Sequence, residues 1–168
     1  TLIQKAVENA EKCKAQSVVV VLGWNPDLIQ SGFDSTPILS LINENWQQGM
    51  ASSMQVGLRY LIEKEQIDQV ILMLCDQPFV EVKLLDQLIL AKGGSSKGIV
   101  ACAYSDTLGV PALFDKKYFS EMLELKGSEG AKKVILKNSE DVFAVDFPLG
   151  KIDLDTEEDF KKLKDFNL

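Results

Sequence analysis

Two periods share the chain. Leu2, Ile3, Ala6, Val7, Ala10 and Cys13 recur at helical spacing, with Thr1 placed to cap them. Residues 17–22 (SVVVVL) are then an unbroken β-branched run. A run that is apolar on both faces suits a strand of a parallel sheet with helices above and below. Gly23 ends it, and 24–33 reads as loop with a short helix. A second strand is predicted at 37–42 (PILSLI), followed by a loop at 43–51 (NENWQQGMA). Ser52 or Ser53 caps a helix reaching about Lys64. The strongest buried-strand pattern is 69–75 (QVILMLC). Asp76-Gln77-Pro78 stops it, because proline cannot donate to a ladder.

The second half continues the alternation. An amphipathic helix runs over 82–91 and ends in Gly93-Gly94, and a strand follows at 99–104. Residues 109–114 (GVPALF) read as a turn leading into a short apolar stretch. Helices are expected at 117–125 and 129–136 and a last strand at 142–147. Thr156 caps a closing helix, with Asp159 three residues on. Strands alternating with helices predict an α/β fold with three layers, α/β/α, around a mostly parallel sheet. No repeat or linker divides residues 1–168, which read as one domain. Ligands of such sheets bind at the carboxyl ends of the strands.

Composition narrows the chemistry. The chain has 168 residues and a formal net charge of −7. That balance argues against nucleic acid or an anionic membrane as the main partner, since both demand a basic face. It leaves room for a small phosphorylated substrate if a bound metal supplies local positive charge. The absence of histidine removes His general bases, Ser-His-Asp triads and His-rich zinc sites. Cys13, Cys75 and Cys102 form no CxxC pair and read as small buried hydrophobes of a reducing cytoplasm. No stretch has the apolar length of a membrane span, and the expected location is cytoplasmic. The chain opens at Thr1 already inside a helical pattern, so further residues are expected upstream.

Four constellations could carry chemistry. Asp76 follows the most buried strand, and Pro78 fixes the backbone beyond it. Its carboxylate should emerge at the carboxyl edge of the sheet, where it serves a hard cation or an ordinary turn. Mg2+ takes one or two carboxylates and completes its shell with water and substrate phosphates. Asp153 and Asp155 alternate in KIDLDTEED and would share a face of an extended segment; acidic residues also favour a helix start on their own account. Gly49, Met50, Ser52 and Ser53 (GMASS) open a helix whose free N–H groups attract anions or polar base edges, or simply cap it. Gly109-Val110-Pro111 forms a tight turn and could wall a cleft. Lys132 and Lys133 follow Gly130 at a helix start, on a phosphate or a solvated face. Trp46, Phe114 and Phe147 read as core or cleft wall.

In order along the chain, NENWQQGMASSMQVGL, VILMLCDQPFV, GVPALF and KIDLDTEEDF resemble the signature blocks of molybdenum-cofactor cytidylyltransferases and their nearest MobA-like relatives. The resemblance implies a Rossmann-like nucleotide-diphospho-sugar transferase fold. It implies Mg2+ on Asp76 and on Asp155, with Asp153 as the alternative second ligand. Gly49, Met50, Ser52 and Ser53 would line the nucleotide pocket, and Gly109, Pro111 and Lys132 the acceptor side. The implied reaction moves a nucleotide, CMP from CTP, to the phosphate of molybdopterin, with a molybdoenzyme or its maturation chaperone as a further partner. A sugar-phosphate acceptor, a non-catalytic nucleotide-binding relative and a cofactor-delivery adaptor are the rival readings. The sequence departs from the family in two places. The family's opening strand and glycine-rich loop, L-A-A-G-x-S-x-R-M-G, have no counterpart in these residues. Ser128 and Lys132 stand where the family often has the acid and arginine of G-D-x-G-A-R. The resemblance therefore implies a domain whose first strand and triphosphate cradle lie outside the 168 residues.

Overall fold

A computed structural model describes residues 1–33 and 38–152. Its regular elements are α1 (Leu2–Lys12), β1 (Val19–Leu22), α2 (Pro26–Gln30), β2 (Leu39–Ile42), α3 (Met50–Tyr60), β3 (Gln69–Leu72), α4 (Val82–Gly94), β4 (Ile99–Tyr104), β5 (Thr107–Asp115), α5 (Phe119–Leu123), α6 (Ala131–Lys137) and β6 (Val142–Asp146). The alternation read from the sequence holds except at β4 and β5, which follow one another directly where the sequence suggested a turn and a short apolar stretch. Thr1 caps α1 as expected, its hydroxyl accepting the Gln4 N–H at 3.2 Å. The closing helix capped by Thr156 lies outside the described residues.

The strands form two sheets. β1 and β2 pair in parallel, Val19 opposite Leu39. The larger sheet has the order β3-β5-β4-β6. β5 runs antiparallel to both neighbours, and β4 pairs in parallel with β6. The sheet is therefore mixed around one reversed strand. Sequence periodicity could not show this, because a strand buried on both faces looks the same in either direction.

Side chains alternate between two cores, as the period of two requires. Val70, Ile99, Ala101, Ala112 and Phe114 meet α3, α5 and α6, where Met122, Val134 and Ile135 are fully buried. Val100, Cys102 and Leu113 meet Leu84, Leu85 and Leu88 of α4 on the opposite face. Three layers result. Desolvation pushes the Cys102 thiol up to about 12, so it packs as a neutral hydrophobe. Cys75 departs from the expectation. β3 ends at Leu72, and Cys75 is exposed beyond it.

Between the sheets lies a cleft of about 770 Å³, walled by Val18–Val21 on one side and Gln69–Ile71 on the other. Among the described residues neither β1 nor β3 has a strand partner on the edge that faces it.

At the amino ends of β4 and β6, Asp141 accepts from Tyr118 Oη at 2.5 Å and pairs with Lys117 Nζ at 2.7 Å. The lysine first and the tyrosine second hold its carboxyl down to about 2. A carboxyl with a depressed pKa stabilises the fold above its ordinary value near 4 and loses that contribution as pH falls through the folded value. Urea unfolding of the wild type should therefore weaken between about pH 4 and pH 2 by more than that of Asp141→Asn. Equal slopes in the two proteins would remove Asp141 from the acid transition.

Candidate functional site

Two buried amides organise the chain around the carboxyl ends of the strands. Asn43 (1% exposed) and Gln77 (6% exposed) are the buried polar side chains among the described residues. Asn43 directly follows β2, and Gln77 follows Asp76 beyond the apolar run that extends β3.

Asp76 lies four residues beyond the end of β3 and is half-buried, with Oδ1 shielded from solvent. Gln77 beside it points inward. Its Nε2 donates to the Gly150 carbonyl at 3.1 Å, and its Oε1 has no hydrogen-bond partner among the described residues. Gly150 belongs to the 3-10 turn Pro148–Lys151 and is pressed between two rings. A Cβ there would lie 2.5 Å from Phe147 and 2.6 Å from Tyr104. The rings themselves meet edge to face at 6.4 Å. The end of β3 is thus fastened to the turn that leads into the acidic block. Asp153 and Asp155 lie outside the described residues. Asp153 stands three residues after Gly150, a chain reach of at most about 11 Å.

Asn43 organises the second segment. Its backbone N–H donates to the Leu22 carbonyl at 2.7 Å, joining the ends of β1 and β2. Its Oδ1 accepts the Asn45 N–H at 3.0 Å. Its Nδ2 donates to Ser52 Oγ at 2.8 Å and Ser53 Oγ at 2.9 Å. The two serines consequently sit inside the first turn of α3 and do not cap it. Gly49 takes the cap position with φ 101°, a region that favours glycine. A Cβ on Gly49 would also collide with the backbone of Gly127. Ser52 Oγ donates to the Gly49 carbonyl at 2.8 Å, with the Asn45 carbonyl at 3.1 Å. Met50 is exposed and touches Gly130.

That contact ties α3 to the loop 126–130. The Ala51 N–H donates to the Gly127 carbonyl at 3.1 Å, and Gln55 Nε2 donates to the carbonyls of Leu123 and Leu125 at 3.0 and 2.8 Å. Lys132, on the first turn of α6, is exposed.

The expectation of a tight turn at Gly109-Val110-Pro111 is overturned. The reversal comes earlier, at Ser105 and Asp106, both with positive φ, in a two-residue hairpin. Gly109 and Pro111 are buried within β5 at a bulge, where the pairing steps from Ala101↔Ala112 to Cys102↔Gly109. A bulge is where a strand tolerates proline. The Val110–Pro111 bond is cis, and Tyr104 Oη donates to the Val110 carbonyl at 3.1 Å. A Cβ on Gly109 would collide with that hydroxyl. Tyr104 therefore links the bulge to the Gly150 turn. Phe114 and Phe147 are core, as expected, while Trp46 is 39% exposed and covers Gly23.

Asn43, Gln77, Tyr104 and Gln55 were not legible as site residues. Asn43 and Gln77 did carry a faint signal, since each is a polar residue within two positions of the end of an apolar strand run. The donor chemistry fits a hard divalent cation. The chain has no histidine, its cysteines stand apart, and Asp76 is a shielded carboxylate at the edge where ligands bind. Among the described residues no three His, Cys, Asp or Glu side chains converge. Mg2+ or Mn2+ needs fewer, because substrate phosphates complete the shell. No helix of the described residues is long and apolar enough to cross a membrane.

Residues 1–142 match the MobA-like NTP transferase domain. No curated protein matches the chain. Among solved structures, the chain resembles the manganese complex of Rv0371c from Mycobacterium tuberculosis H37Rv. Identity is 24% over 97% of this chain and 85% of that one, with a TM-score of 0.78. It also resembles 4-diphosphocytidyl-2C-methyl-D-erythritol synthase from Anaerococcus prevotii, at 16% identity over 99% and 86% of the two chains and a TM-score of 0.79. A third likeness is to molybdopterin-guanine dinucleotide biosynthesis protein A from Archaeoglobus fulgidus, at 14% over 99% and 85%, with a TM-score of 0.67. At these identities the likenesses establish the fold.

The Gly49–Gly127 contact makes Gly49→Ala a sharp probe of this region. Strain at positive φ together with the backbone collision should cost about 1–3 kcal/mol. Chemical denaturation would measure the loss, and faster hydrogen exchange at the Ala51 amide would localise it.

Proposed function

The chain belongs to the MobA-like NTP transferase domain family, a family of nucleotidyltransferases, and from that premise we propose that it transfers CMP from CTP to the terminal phosphate of molybdopterin with release of pyrophosphate. The observation that carries this reading is Asp76. It is a shielded carboxylate at the carboxyl edge, fastened through Gln77 and Gly150 to the chain three residues before Asp153.

In the proposed reaction an oxygen of the acceptor phosphate attacks the α-phosphorus of the nucleotide. The new P–O bond forms as the bond to the β-phosphate breaks, and pyrophosphate leaves with the electron pair. An ionised phosphate needs no general base, which suits a chain without histidine. Catalysis then rests on positioning and charge stabilisation. Asp76 and Asp155, with Asp153 as the alternative second ligand, would hold Mg2+, whose charge neutralises the phosphates as they react. Gly49, Met50, Ser52 and Ser53 line the nucleotide pocket. Gly109 and Pro111 shape the acceptor wall from within the β5 bulge, through Tyr104, and Lys132 meets the acceptor phosphate. Cytosine is favoured as the base because GMASSM stands where guanylyl relatives carry a different segment. Ser128 and Lys132, in place of the family's usual acid and arginine, favour a second reading in which the acceptor is another small phosphorylated compound. A pyrophosphate-release screen over molybdopterin and such acceptors separates the two.

The cleft between β1 and β3 is where this reading places one more strand, pairing with both edges and joining the sheets. Support comes from the β-branched wall of β1 and from facing edges without a strand partner among the described residues. The glycine-rich loop that would follow such a strand is assigned by this reading to the triphosphate. In the intact protein, amides along both facing edges should be protected by at least about 100-fold in hydrogen exchange, as ladder amides are. Unprotected edges would count against the joined sheet.

The metal assignment has its own test. Asp76→Asn should lower kcat by at least about 100-fold while far-UV circular dichroism stays unchanged. Turnover at the wild-type rate in that variant would end the assignment.

A further inference from the structure

The hydrogen-bond inventory around Asn43 fixes more than position. An amide side chain has two N–H donors and one oxygen acceptor, and which end is which follows from the partners. The Asn45 backbone N–H can only donate, so the atom that receives it is Oδ1. Nδ2 therefore faces the serines, and both of its hydrogens are committed, one to Ser52 Oγ and one to Ser53 Oγ. Each serine oxygen is then an acceptor toward Asn43 and must direct its own hydrogen elsewhere. Ser52 gives its hydrogen to the Gly49 carbonyl at 2.8 Å, with the Asn45 carbonyl also in reach. Ser53 donates to no acceptor among the described residues, and its side chain is only partly buried. Two adjacent serines of identical chemistry are thus made unlike. One is internally satisfied, and the other holds an outward donor.

We propose that Asn43 is a positioning residue that commits the Ser53 hydroxyl as a hydrogen-bond donor to the bound nucleobase. The pocket then selects a base edge that presents an acceptor there, such as N3 or O2 of cytosine. This rests on the nucleotidyltransferase reading and on the GMASS segment lining its nucleotide pocket. Asn43 itself, at 1% exposure, touches no ligand. It acts by denying Ser53 an inward acceptor. An aspartate at this position would keep the bond from the Asn45 N–H but offer the serines only acceptor oxygens. Ser53 would turn inward to donate to it, and the outward donor would be lost without removing a hydroxyl.

The test is calorimetric titration of Mg-CTP into the intact protein and its variants. Ser53→Ala should weaken CTP binding about tenfold, the loss of one neutral hydrogen bond. Ser53→Thr, which keeps the hydroxyl, should restore most of it. Asn43→Asp should weaken binding by the same factor as Ser53→Ala, and the double variant should be no weaker than either. That non-additivity is what a purely structural role for Asn43 would not produce. Additive losses, or wild-type affinity in Asn43→Asp, would overturn the role of Asn43. Wild-type affinity in Ser53→Ala, with CTP still bound, would overturn the donor assignment and leave the transferase reading standing. Failure of the unmodified protein to bind any nucleoside triphosphate would instead remove that reading and this one together. If Asn43→Asp does not fold, the Ser53→Ala and Ser53→Thr pair still decides the donor.

Discussion

A polar side chain buried at the end of a strand must find all its partners on the spot, and Asn43 does. Its N–H closes the ends of β1 and β2 through Leu22, its oxygen turns the chain at Asn45, and its amide hydrogens hold two serines of α3. An unsatisfied buried donor or acceptor costs about 1–3 kcal/mol, a large fraction of the roughly 5–15 kcal/mol that keeps a domain folded. Asn43 therefore has little freedom. The path of the chain from β2 to α3 is set by it, and with that path the positions of Gly49, Ser52 and Ser53. Gly49 then adopts φ 101° against Gly127, which draws the loop 126–130 onto the start of α3.

Gln77 plays the matching part on the other side of the sheet end. Its amide reaches Gly150 across more than seventy residues of sequence, and Gly150 is locked against Tyr104 and Phe147. Tyr104 carries the connection on to the β5 bulge. The segments proposed to hold metal and acceptor are thus one packed unit. Rigidity matters here because a phosphoryl-type transfer without a covalent nucleophile depends on geometry, and small displacements are costly.

The sequence showed the elements better than it showed the site. Long apolar runs such as 69–75 and 99–104 marked strands because burial on both faces leaves no polar interruption. Their ends were less legible. β3 stops pairing at Leu72, although the apolar run continues to Cys75. Gly109-Val110-Pro111 misled because glycine and proline punctuate turns, and nothing local distinguishes a turn from a bulge inside a strand. The actual reversal uses Ser105-Asp106, a weaker hairpin signal. Ser52 and Ser53 read as caps because serine so often caps, whereas a positive-φ glycine and the distant backbone of Gly127 decide the matter. The position of Asp76 just beyond the strand run was legible, since proline two residues on and a strand before it are both local facts. The roles of Asn43, Gln77 and Tyr104 were not, because they are set by partners far along the chain.

Charge sets a final constraint on the site. A protein of net charge −7 repels a nucleoside triphosphate at long range, so local cations must overcome the field. Lys92, Lys116, Lys117, Lys133 and Lys137 are each paired with a carboxylate. Arg59 is the one arginine of the 168 residues, and it lies in the last turn of α3. Ten residues of helix, about 15 Å, separate it from the Gly49 end where the nucleotide pocket is proposed. Among these 168 residues, no guanidinium is placed near that end to supply the bidentate phosphate contact that arginine gives best. Within these residues, the attraction for phosphate would come from the divalent ion proposed at Asp76, the free N–H groups at the start of α3 and scattered lysines. An ion on a shielded carboxylate would be the strongest of these, because its charge would be screened least. A metal at Asp76 would reconcile the acidity of these residues with the proposed phosphate substrate, and Asp76 is the residue on which that proposal turns.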